Sequence, residues 1–180
     1  MKHSQQRAVI LQLIMALKKN NSWCGETHIQ KAAYCLQELM GVDTGFDFIL
    51  YKHGPYSFDL CDELAAMRAD ELLAIKLNAR PYGPSLRVAS LGEEMVERFP
   101  KTIGQYKERV DFIAKKIEAK GVAQLERLAT ALYVTSKSGL GAVDERAKRI
   151  HELKPHVSLA DARIAVKEID AMKQEAAAIS

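Results

Sequence analysis

From Gln5 to Lys19 apolar side chains recur at helical spacing, with Val9, Leu13 and Ala16 or Leu17 on one line and Ile10, Leu11 and Ile14 widening the face beyond a single stripe. A helix with so broad an apolar face packs on more than one side. Asn20-Asn21-Ser22 ends it, and Thr27 is placed to cap a second helix that runs to Met40. The apolar face of that helix is Ile29, Ala32, Ala33, Leu36, Leu39 and Met40, and Gly41 is suited to close it.

The period then changes. Phe46, Phe48 and Leu50 alternate with Asp47, Ile49 and Tyr51, which predicts a strand ending at the corner His53-Gly54-Pro55. Ser57 caps a third predicted helix reaching Ala69, with Leu60, Leu64 and Met67 facing inward. Leu72 to Leu77 and Leu86 to Ala89 read as paired strands around a tip, residues 78–85, rich in turn formers. A helix followed by such a hairpin is the layout of a wing, and the strand ending at Tyr51 is expected to add a third strand at its base.

Ser90-Leu91-Gly92-Glu93 has capping-box spacing, so a further helix should start there and stop before Pro100. Beyond it helices are expected over about 103–119, 122–135, 143–153 and 159–176, the last with an acidic capping box at Ser158-Leu159-Ala160-Asp161. The fold class is therefore mostly α with a small β-wing (α+β): a winged-helix-like core over 1–99, and a helical extension over 103–180 packed on it. The connection between them is too short for independent motion.

Charge is uneven along this frame. Residues 1–20 carry a net +4, residues 21–70 a net −5, and residues 100–156 a net +5, within an overall +3. A polyanion would therefore meet the first helix or the second half rather than the acidic middle. No apolar run approaches the roughly 18 residues of a membrane span. The short stretch Ala8 to Leu17 is interrupted by Gln12 and followed by no cleavage pattern, so no membrane association and a cytoplasmic location are expected. The three cysteines, Cys24, Cys35 and Cys61, suit reduced thiols. Cys24 and His28 lack the partners that would complete a metal site, so no metal and no cofactor is expected.

No catalytic set is expected either. His53 and Cys61 could form a pair, but nothing supplies an orienting group or an oxyanion site. Tyr51, His53, Gly54, Pro55, Tyr56 and Ser57 read as a structural corner. Arg80, Tyr82 and Arg87 on the wing are the candidate nucleic-acid contacts, although the preceding helix, with Asp59, Asp62, Glu63, Asp70 and Glu71 against Arg68, would repel a phosphate backbone. Asp59, Asp62 and Glu63 form a candidate protein-partner face, or else a solvated one.

The segment Phe46 to Leu60, with Tyr51-Lys52-His53-Gly54-Pro55-Tyr56-Ser57 at its centre, resembles the YwgA-like family of bacterial proteins and, more distantly, the Panacea domain of SocA-like antitoxins. Ile29-Gln30-Lys31 with Tyr34, the stretch Leu125 to Tyr133, and Lys154-Pro155-His156-Val157-Ser158 extend the resemblance over most of the chain. The antitoxin version of the corner contains a tryptophan, which is missing here. The resemblance implies a non-enzymatic protein-interaction module of a bacterial toxin–antitoxin or defence-type system, and the separate basic and acidic faces suit a protein partner or self-association. The alternatives are a DNA-binding winged-helix transcriptional regulator and an uncharacterised enzyme.

Overall fold

The computed structural model describes residues 1–78, 83–138 and 141–179. Helix α1 (His3–Lys19) is followed by α2 (Glu26–Met40), a hairpin of β1 (Ile49–Tyr51) and β2 (Gly54–Tyr56), and α3 (Phe58–Ala69). The wing is β3 (Leu73–Lys76) with β4 (Ser85–Val88), after which come α4 (Ser90–Glu97), α5 (Pro100–Lys116), α6 (Val122–Ser138), α7 (Val143–Leu153) and α8 (Leu159–Ala176). The order of α1, α2, α3 and the β3–β4 hairpin makes the N-terminal half winged-helix-like, and the second half is helical.

The broad apolar face of α1 has the expected consequence. Val9, Ile10, Leu13, Ile14 and Leu17 are all buried, because α1 lies at the centre with α2, α4, α5 and β4 against it. Its side chains join those of α5, α6, α7 and α8 in one continuous apolar cluster that includes Val110, Ile113, Leu132, Ile150 and Ile169. α5 packs on α1 and α2, and α6 on α2, so the second half shares the core of the first.

Local chemistry accounts for most of the element ends. Gly41 closes α2 in the left-handed conformation, with φ of 63°. Ser57 caps α3 by accepting from the Leu60 amide at 3.2 Å, and Leu60, Leu64 and Met67 are its buried line. Ser158 caps α8 by accepting from the Asp161 amide at 3.1 Å.

Five expectations need correction. The chain from Phe46 to Phe48 is not a strand: the Phe46 side chain is in the core, its carbonyl accepts from the Gln37 side chain at 3.1 Å, and Phe48 packs edge-on against Tyr34. Strand β1 then pairs with β2, in the register Ile49↔Tyr56 and Tyr51↔Gly54, so it adds nothing to the wing, whose two strands form a separate sheet. Ser90 is the first residue of α4 rather than its cap, which is Ala89, and the cap of α2 is Gly25 rather than Thr27. The helix expected from about 103 begins at Pro100, which takes a first-turn position where a helix has no use for an amide proton.

Candidate functional site

The segments singled out in the sequence converge on the β1–β2 hairpin. Its turn is Lys52-His53, and Gly54 follows at φ of +85°, a conformation open to glycine and costly for other residues. Space is tight there as well, since a Cβ on Gly54 would lie 3.1 Å from the Thr130 hydroxyl oxygen and 3.4 Å from the Glu126 carbonyl oxygen of α6. The hairpin is thus pressed flat against the second half of the molecule.

Buried polar side chains fasten it there. Lys31 of α2, 2% exposed, donates its ammonium to the Pro55 carbonyl at 2.8 Å. Lys154, just past α7, donates to the carbonyls of Tyr51 and Lys52 at 2.5 and 2.6 Å. Gln30 grips Ser57 at both ends of its amide, donating to the Ser57 carbonyl at 2.8 Å and accepting from the Ser57 amide at 3.0 Å. These bonds satisfy backbone groups that a three-residue strand cannot pair through its own ladder.

Glu126 of α6 supplies the counter-charge. Its carboxylate lies 3.9 Å from the Lys154 ammonium, 3.1 Å from the His156 ring and 3.6 Å from the His53 ring, and is itself largely buried. Burial drives the Lys31 ammonium down to about 8 from its ordinary 10.5, with Glu126 partly offsetting the fall. Lys154 is lowered for the same reason, again against the pull of Glu126. Two buried ammonium groups sharing one carboxylate and three backbone carbonyls make a fastening, with both lysines committed to holding the hairpin in place.

The outer side of the hairpin is aromatic. Tyr51, Tyr56 and Phe58 contact one another with ring centroids 5.1 to 5.9 Å apart. Tyr51 and Phe58 nonetheless remain 52% and 53% exposed, and Ile49 beside them 49%. The Tyr56 hydroxyl donates to the Glu26 carboxylate at 3.0 Å. Burial, with the neighbouring Cys61 and Glu26, raises its pKa. Asp59 and Asp62, both exposed, stand on α3 next to this patch.

The structure separates the acidic trio of α3. Glu63 is turned toward α1, where Arg7 and His3 pair with it, and Arg7 also holds Asp70 at 2.6 Å. Asp59 and Asp62 remain outward. Of the wing residues, Arg80 and Tyr82 lie outside the described residues. Arg87 is exposed on β4 and lines a shallow groove with Lys18 and Lys19 from the end of α1, with Glu93 at its edge. His53 and Cys61 are not brought together as a reactive pair: His53 faces Glu126, and Cys61 faces Tyr56.

Lys31, Glu126 and Lys154 escape sequence reasoning as site residues. The burial of Lys31, in a run from His28 to Leu36 that is buried throughout, appears only in the fold. Phe58 and Ile49 read as ordinary helix and strand residues, and only the hairpin geometry exposes them together. Among the described residues no group of three or more His, Cys, Asp or Glu side chains is arranged to hold a metal ion. Nor, among them, is any helix long and apolar enough to cross a membrane. The architecture is that of a small winged-helix-like module with a rigidly mounted exposed patch. No protein-family model matches the chain, and no curated protein matches it.

Proposed function

We propose that the chain is a non-enzymatic interaction module that docks a protein partner through the aromatic face of the β1–β2 hairpin. The observation that carries this reading is a cluster of three touching rings, two of them half exposed, on a hairpin bolted down by Lys31, Lys154 and Gln30. A contiguous exposed aromatic patch is what binding surfaces use as an anchor, and rigid mounting removes the ordering cost of association. Glu26, Asp59 and Asp62 border the patch, so the partner chemistry that fits is an apolar segment flanked by lysine or arginine. The resemblance to YwgA-like and SocA-like proteins supports the finer assignment, a toxin-neutralising or defence-associated partner in a bacterial cytoplasm.

Replacing Tyr51 and Phe58 together with serine tests this reading. Both side chains are half exposed, so the melting temperature should change little, while retention of partners from native extract should fall at least about tenfold, the loss typical of removing a central anchor. Asp59→Asn with Asp62→Asn should weaken binding less and reduce its sensitivity to salt. Unchanged retention by the double serine variant would exclude the aromatic face.

A second reading, a DNA-binding regulator, is favoured by the winged-helix-like order of elements and by the groove in which Lys18, Lys19 and Arg87 meet. The acidity of α3 opposes it, because the helix that would enter the major groove faces outward with Asp59 and Asp62. If it holds, Lys18→Glu with Arg87→Glu should weaken retardation of a DNA fragment pool and flatten its salt dependence by roughly one unit of log–log slope for each phosphate no longer neutralised. No retardation of that pool by the unaltered protein at low salt would remove this reading.

A further inference from the structure

The aromatic face has a chemical complement on the same chain. A groove of about 290 Å³ lies where the end of α1 meets β4 and α4. Its floor is apolar, with Ile14 buried and Met15 and Val88 half-buried. Lys18, Lys19 and Arg87 line it. All three are exposed, and among the described residues none of them has an ion-pair partner. Glu93 supplies an opposing charge at the edge.

Helix chemistry explains only part of this rim. Lysines in the last turn of a helix complement its dipole, which accounts for Lys18 and Lys19. It does not account for Arg87, which β4 brings to the same place, or for the apolar floor between them. Three unpaired cations around such a floor fit an apolar side chain bordered by carboxylates. A nucleic acid would use the cations, leave Met15 and Val88 uncovered and meet Glu93.

Phe58 and Tyr51, each half exposed, with Asp59 and Asp62 beside them on α3, are that arrangement. The face is held away from its own groove. α3 meets α1 at Arg7, through Glu63 and Asp70, and Lys18 lies about three turns further along the same helix, roughly 16 Å away. The hairpin that carries Tyr51 is itself fixed by Lys31 and Lys154. We infer, resting on the docking reading of the aromatic face, that its partner is a second copy of this chain. Phe58 of one copy enters the groove of the next, where Lys18, Lys19 and Arg87 meet Asp59 and Asp62. The two surfaces differ, so the contact is head-to-tail, and association continues beyond two copies unless the rotation closes a ring. One groove is a small contact, and a dissociation constant of about 10–100 µM is expected.

Sedimentation of the unaltered protein from about 5 to 500 µM reads this association. Expected is an average mass that rises with concentration in low salt and falls back toward one copy at about 0.5 M salt, where rim charges are screened. Two variants reverse one surface each: Asp59→Lys with Asp62→Lys on the face, and Lys18→Glu with Arg87→Glu at the groove. All four residues are exposed, so both variants should fold, and each alone should stay single. Mixed in equal amounts they should associate again, because the reversed face of one matches the reversed groove of the other and their unaltered surfaces still match. The inference is overturned if the unaltered protein stays single throughout, if mixing restores nothing, or if Tyr51→Ser with Phe58→Ser leaves association unchanged. It is overturned too if the groove-reversed variant associates normally and loses only DNA retardation, which assigns the groove to nucleic acid. A protein that stays single yet gives an adduct to a different protein from a photo-reactive group at position 58 refutes the second copy and leaves the docking face standing.

Discussion

Replacing Gly54 with valine is expected to lower the melting temperature by about 10 °C or more. Two costs add at this position. The backbone sits at φ of +85°, where a side chain carries a penalty of roughly 1–2 kcal/mol and a β-branched one more. The new Cβ would also stand 3.1 Å from the Thr130 hydroxyl and 3.4 Å from a carbonyl oxygen of α6, and helix backbone cannot easily give way. A total of roughly 3–5 kcal/mol corresponds to about 10 °C in a chain of this size. Alanine at the same position should lose less, because it clashes with the same atoms but lacks the branched methyls. Calorimetry of the three proteins checks the order, and a valine variant melting with the unaltered protein would contradict the close approach of the hairpin to α6.

The second large effect is expected at Glu126. Glu126→Gln keeps the shape but removes the carboxylate that lies within 4 Å of the Lys154 ammonium, and it deprives Lys31 of its main favourable charge. Breaking a buried ionic arrangement on one side costs about 3–5 kcal/mol, because the remaining charge stays desolvated and unpaired. The loss should depend on pH in a specified direction. Lys31 releases its proton near 8 in the folded chain and near 10.5 in the unfolded chain, so above pH 8 the unfolded chain binds more protons and stability rises with pH. Cys24 and Cys35, raised by burial, and Cys61, also raised, act in the opposite sense as the unfolded thiols ionise toward 9. Lys154, lowered like Lys31, adds to the rise, so the Lys31 share is read as the difference between the unaltered protein and Lys31→Met. Without Glu126 the folded Lys31 gives up its proton more readily, so the rise should begin below pH 8. Lys31→Met should remove the Lys31 share of the rise and leave that of Lys154. Urea melts of the three proteins between pH 6 and 9 measure both effects, and three parallel curves would exclude Lys31 as the titrating group.

Residue patterning predicts those parts of the molecule whose cause is local. α1, α2, α3 and the paired wing strands follow from helical or alternating spacing, and Ser57 and Ser158 start their helices and Gly41 ends its own through bonds within a few residues. The β1–β2 hairpin escapes such patterning because strands of three residues are too short to alternate, and because Gly54-Pro55 serves as an ordinary corner signal whether or not a strand follows it. Phe46 and Phe48 alternate as a strand would, yet Gln37 and Tyr34 of α2 provide better partners than another strand does. The site itself is legible only in pieces. Lys31, Pro55, Glu126 and Lys154 are far apart in the chain, and each taken alone resembles a surface charge or a turn. Their meeting depends on α2 and α6 packing with the hairpin between them, which no local pattern encodes. Glu63 shows the converse: it reads as one of three equivalent acids on α3, but the placement of Arg7 on α1 withdraws it from the outer face.

The proposed docking role is tested most directly by a photo-reactive phenylalanine analogue placed at Phe58 in cells expressing the protein at natural level, with the same analogue at Ile164, which is 64% exposed on α8, as the control. Both positions are open to solvent, so neither substitution should disturb the fold. Expected is a discrete protein adduct from position 58, abolished when Tyr51 is also changed to serine, and no such adduct from position 164. Adducts to nucleic acid at position 58, equal protein adducts from both positions, or none from position 58 would contradict a protein-docking aromatic face.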